Sequence, residues 1–187
     1  MKQIRLLSLV WVILTAWILA GCTKNNGDFV IEEISTDAVI EYNDKLVDYA
    51  SNCFIADDVM WNVYDDESST ANDIHNAIDD AAAECNNSIN LINSLWARDW
   101  DTSLQEAVLF ILNKDIEYYQ KLDELLSYAE NQQNLTEQDE IAYNQILDEI
   151  NAINNEILNA NEDLITVQEL FAENHGYTLQ TIDEEIE

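Results

Sequence analysis

The residues of this 187-residue chain with the chemistry to form a bond, hold a metal or move a proton are few: Cys22, Cys53, Cys85, His75, His175 and several paired acids. Cys53 lies 11 residues before Tyr64 and Cys85 lies 14 residues after Ala71, on either side of a polar break at 65–70. Two antiparallel helices joined there would bring the thiols nearly level. A disulfide would close a loop of 31 intervening residues and contribute about 3 to 4 kcal/mol in the chain-entropy model. The other reading is two buried thiols acting as small hydrophobes.

Neither histidine stands three residues after a glutamate, so the inward Glu-x-x-His pairs of di-iron bundles are absent. Acids pair at Asp57-Asp58, Asp65-Asp66-Glu67 and Asp79-Asp80. Calcium takes six to eight oxygens from a loop bent at a glycine, and the three glycines stand elsewhere, at 21, 27 and 176. Asp65 to Glu67 therefore reads as a solvated turn. Trp61, Tyr64, Trp96 and Trp100 form the one aromatic concentration, but antiparallel helices put Trp61 and Trp96 at opposite ends, where packing is their expected role. No nucleophile elbow, Walker loop, dinucleotide-binding glycines or Cys-x-x-Cys motif occurs. The expectation is a protein that is not an enzyme, with no metal and no cofactor.

Lys2 and Arg5 precede a run of fifteen mostly apolar residues, 6 to 20, too short for a comfortable membrane span and suited to the core of an export signal. The run ends in Leu19-Ala20-Gly21-Cys22, which resembles the lipobox of bacterial lipoproteins. That resemblance implies cleavage before Cys22, a diacylglycerol thioether on its sulfur and an acyl group such as palmitate on its new amino end. Two or more acyl chains anchor stably where one gives only reversible contact. Thr23, in place of the aspartate of inner-membrane retention, points to the outer membrane or cell surface of a bacterial envelope. Export also implies an oxidising compartment, which favours the Cys53–Cys85 disulfide.

The whole chain carries 7 basic and 38 acidic residues, a net charge of -31. Removing residues 1–21 takes away Lys2 and Arg5 and no acid, leaving five basic against 38 acidic residues, or -33. Nucleic acid and anionic headgroups are repelled by such a surface. Solubility, a high-salt habitat, or the capture of cations or basic peptides would each account for it.

The elements that must position these residues show helical rhythm. Residues 22–35 read as a lipidated tether. Val39, Tyr42, Leu46, Tyr49, Cys53, Ala56, Met60 and Val63 alternate steps of three and four, predicting a helix over roughly 37–64. Ala71, Ile74, Ile78, Ala81, Cys85, Ser88, Ile92 and Leu95 predict a second with a thinner stripe, ending near Arg98. Ser103 and Glu106 suggest the capping box of a third, whose stripe is Leu104, Val108, Ile111, Tyr118, Leu122, Leu125 and Ala129. Asp115 falls on that stripe and is read as a phase drift toward Ile116, since a buried charge is costly. Thr136 caps the fourth, with Tyr143, Ile146, Ile150, Ile153, Ile157, Ala160, Leu164, Val167 and Phe171 facing inward, and His175 and Gly176 close it.

Short connections make consecutive helices antiparallel. The expected fold is all-α, an up-down-up-down four-helix bundle over 36–175 behind a signal peptide at 1–21, with a loosely packed acidic tail at 176–187. The alternative is a pair of helical hairpins completing its core as a homodimer. Tyr42-Asn43-Asp44 and Phe171 to Gly176 are similar to segments of uncharacterised helical surface lipoproteins of bacteria, a resemblance that implies no activity. The functional expectation is a structural or protein-interaction lipoprotein that meets the membrane through its lipid and an envelope protein through its surface. The second expectation is a binding protein for cations or basic peptides.

Overall fold

The computed structural model describes residues 36–95, 102–130, 136–177 and 179. Among them are four α-helices and no strand: α1 (Thr36–Asp65), α2 (Ala71–Ser94), α3 (Ser103–Glu130) and α4 (Glu137–Asn174). The fold is an all-α four-helix bundle. Cys22, the tether, Trp96 and Trp100 lie outside the described residues. No helix among the described residues is long and apolar enough to cross a membrane.

The helix starts follow from local hydrogen bonding. The Thr70 side chain accepts from the Asp73 N–H while the Asp73 carboxylate accepts from the Thr70 N–H, and Thr136 with Asp139 repeats the arrangement at α4. Each box satisfies backbone donors that the first turn leaves without partners. At α3 the cap stands one residue earlier than the Ser103 box suggests. The Glu106 N–H donates to the Thr102 carbonyl, and the Thr102 hydroxyl donates to the Glu106 carboxylate, both at 2.9 Å. At its far end α2 stops at Ser94, short of Arg98, because Leu95 turns extended (φ -67°, ψ 124°). Gln105 of α3 then donates to the Ile92 carbonyl at 2.8 Å, capping α2 from a neighbouring helix.

α4 ends in a Schellman turn. The Tyr177 N–H reaches the Ala172 carbonyl and the Gly176 N–H reaches the Glu173 carbonyl, with Gly176 at φ 72°. The turn folds Tyr177 back onto Phe171, ring centroids 6.3 Å apart, and leaves Tyr177 buried. The supposed loose tail thus begins inside the core, with Leu179 also packed against it. Substituting Gly176→Ala is expected to cost about 1 kcal/mol, because an added Cβ meets no atom within 4 Å and the penalty is the left-handed backbone alone. Urea unfolding of the variant checks this.

Chain neighbours approach most closely along the bundle: α1 with α2, α2 with α3, and α3 with α4. The backbones of α1 and α4 stay farther apart and meet through large side chains, as where Tyr42 packs on Phe171 at 6.2 Å. The Tyr42 hydroxyl also donates to Gln105 of α3 at 2.9 Å. One relay of Tyr42, Gln105, Ile92 and Phe171 therefore ties all four helices at a single end. Across the α3/α4 seam, Lys114 bridges Glu117 and Glu156, and Lys121 bridges Glu124 and Glu149. These pairs are solvent-facing and add little stability singly.

The core departs from a strict heptad on α4. Along this helix Asn161 and Gln168 are buried, whereas the expected Ala160 and Val167 are only half-covered. A straight helix repeats every 3.6 residues, so a stripe spaced by sevens drifts about 20° per heptad. Over 38 residues that drift turns the neighbouring polar positions inward.

Candidate functional site

Two features of the bundle stand out. The first is a groove of about 660 Å³ between α1 and α2. Ala56, Val59 and Val63 of α1 and Ala77 and Ala81 of α2 line its apolar part, and Asp73, Asp80 and Glu84 of α2 supply its acids. The alanines of α2 matter here. Small side chains let the helices approach, yet leave the outer seam shallow enough to remain open. Val59 on its border is 56% exposed, an apolar side chain that the fold itself does not cover.

The second feature lies inside. Asp57 stands one turn after Cys53 on the inward face of α1, and Tyr119 of α3 donates its hydroxyl to the Asp57 carboxylate at 2.8 Å. Burial nevertheless raises the Asp57 carboxyl from 3.8 to about 6, against the lowering effect of the Tyr119 hydroxyl and the nearby Trp61 indole. Asp115, one turn before Tyr119, is pushed well up by burial and by the charge of Asp57. Burial also raises Tyr118 and Tyr119, with both aspartates adding to the effect.

At the expected drift, Ile116 packs against the core while Asp115 beside it is half-buried, its carboxyl pushed up by burial. Of the Asp57-Asp58 pair, Asp57 is half-buried while Asp58 remains exposed. The available signal was positional: Asp57 is four residues after Cys53 and Asp115 four after Ile111, both in helical register with core residues.

The remaining candidate residues serve the fold. Cys53 and Cys85 are joined by a disulfide with Cα atoms 4.3 Å apart, and both are fully buried. His75 pairs through Nδ1 with the Asp123 carboxylate of α3. His175 is the C-cap of α4 and packs on Phe171 at 4.5 Å. In the 65–70 turn, Asp66 accepts from both the N–H and the hydroxyl of Ser68 at 2.8 Å, which turns its carboxylate onto its own loop. No group of three or more His, Cys, Asp or Glu among the described residues is placed to hold a metal ion.

The chain matches no protein-family model, and no curated protein or solved structure is significantly similar to it. Function must be argued from the structure itself.

Proposed function

We propose that the protein is a lipid-anchored interaction module of a bacterial cell envelope, which receives a basic, partly apolar segment of a partner protein in the α1/α2 groove. The observation that carries this reading is the combination in one groove of an aliphatic strip, Val59 and Val63, with Asp73, Asp80 and Glu84. An aliphatic strip gives an incoming helix area to bury. Carboxylates at its border select lysine or arginine over acidic side chains and steer the encounter. The surrounding charge strengthens that selection, and each lysine among the described residues is already paired with glutamate. The anchor rests on the similarity of Leu19 to Cys22 to a lipobox, and it holds the groove at the membrane surface.

A synthetic amphipathic helix with lysines on one face and leucines on the other is the probe, titrated onto the full chain in detergent. Binding is expected to weaken at least tenfold in Asp80→Lys/Glu84→Lys and in Val59→Asp, and to persist in part at raised salt. Equal binding by these variants, or complete loss once the Debye length shortens, would refute groove docking in favour of general charge capture. Mass spectrometry of the membrane-extracted protein checks the anchor. An unmodified Cys22 would remove the envelope placement.

A further inference from the structure

The α3/α4 seam carries a groove of its own, of about 390 Å³, separate from the one between α1 and α2. Ala107 and Phe110 of α3 and Glu156, Asn159, Ala160 and Asp163 of α4 line it. The two alanines leave room beside the ring. Phe110 is 47% exposed, a large ring that the fold leaves open to solvent between carboxylates.

One end of this groove already holds a cation. Lys114 places its Nζ 2.8 Å from the Glu156 carboxylate and 5.8 Å from the centre of the Phe110 ring. A carboxylate and a ring face together are what a basic side chain needs when it gives up part of its water. Asp163 repeats the acid seven residues further along α4, about 10 Å away at the helical rise. It pairs with none of the lysines among the described residues, since Lys45, Lys114 and Lys121 are all bonded to glutamates. The chain's own lysine thus serves the Glu156 end, while the Asp163 end offers an exposed acid beside apolar carbon.

We propose that the Asp163 end of this groove receives an arginine side chain of a partner protein, its guanidinium paired with Asp163 and its plane against the Phe110 ring. An open groove of this kind covers one long side chain, whereas a small free ligand needs a pocket that buries most of its surface. The remaining affinity comes from the polypeptide that carries the side chain. Arginine suits the site better than lysine, because its planar fork gives a carboxylate two bonds and also stacks on rings. A second copy of this chain is the poorer fit. Its described lysines are committed to glutamates, and a net charge of -31 repels its like. The site does not depend on docking between α1 and α2. With both occupied, the bundle would hold two basic segments at once.

The probe is a short blocked peptide of alanine and leucine with one central arginine, titrated onto the full chain in detergent at about 150 mM sodium chloride. NMR follows the Phe110 ring and the Ala107 and Ala160 methyl groups, which report on this groove alone. Saturable shifts of these signals are expected. Asp163→Asn and Phe110→Ala should each weaken binding by about fivefold, the second read at the alanine methyls, and so should citrulline in place of the peptide's arginine. Glu162→Gln removes an equal charge beside the groove and should leave binding unchanged. Asp80→Lys/Glu84→Lys should also leave it unchanged, which separates this site from docking between α1 and α2. Circular dichroism of each variant confirms that the helices persist. Absence of saturable shifts, equal weakening by Glu162→Gln, equal binding of the citrulline peptide, or a dimer of the chain that Phe110→Ala abolishes would overturn the proposal.

Discussion

Replacing both Cys53 and Cys85 by alanine is expected to destabilise the bundle by about 3 to 4 kcal/mol and to lower Tm by on the order of 10 °C. The bond joins residues separated by 32 positions in sequence, so its loss restores a large ensemble of open hairpins to the unfolded chain. Alanine is the informative replacement because both positions are fully buried, and serine would add the cost of burying two hydroxyls. Since α1 and α4 approach little, the α1/α2 pairing relies on this cross-link more than it would in an evenly closed bundle. Urea unfolding with and without dithiothreitol measures the effect. A midpoint unmoved by reduction, with a free-thiol count confirming that the bond is broken, would show that packing alone holds the hairpin.

The second large effect reverses the usual response of proteins to acid. Asp57 has its carboxyl raised from 3.8 to about 6, chiefly by burial, so the native state holds its proton more tightly than the unfolded chain does. Where the native state binds more protons, stability falls as pH rises. The contribution of Asp57 is therefore most favourable below about pH 4, declines between about 4 and 6, and stays unfavourable above. Asp115, raised in the same direction, adds to it. Asp57→Asn keeps an oxygen for the Tyr119 hydroxyl and removes the charge. It is expected to stabilise the protein by about 1 to 3 kcal/mol at pH 7.5 and to have little effect at pH 4. General repulsion among surface acids also eases on acidification, but it is nearly common to both proteins and cancels in the difference. A variant less stable than the parent at pH 7.5 would contradict this account. So would a difference that does not depend on pH.

Much of the architecture was legible in residue order. The stripes of α1 to α4, the break at 65–70, the Thr136 cap and the left-handed Gly176 are local events, governed by backbone hydrogen bonding and by the helical period within one segment. Matching the two cysteines across the first turn needed only the helical rise, and it placed them level. Short-range rules failed where two neighbouring residues compete for the same role. Thr102 took the cap that Ser103 was expected to provide, and Gln105 ended α2 from another helix, a contact that no reading of α2 alone contains.

The amino-acid order by itself determined that the chain is helical, where its helices begin and end to within a few residues, and how strongly acidic its surface is, because propensity, capping and charge reside in contiguous residues. Only the tertiary structure decided which of two adjoining faces turns inward. Asn161 rather than Ala160, and Gln168 rather than Val167, are settled by the drift of a 3.6-residue helix against its neighbours. That choice depends on the surfaces of other helices, which one segment does not encode.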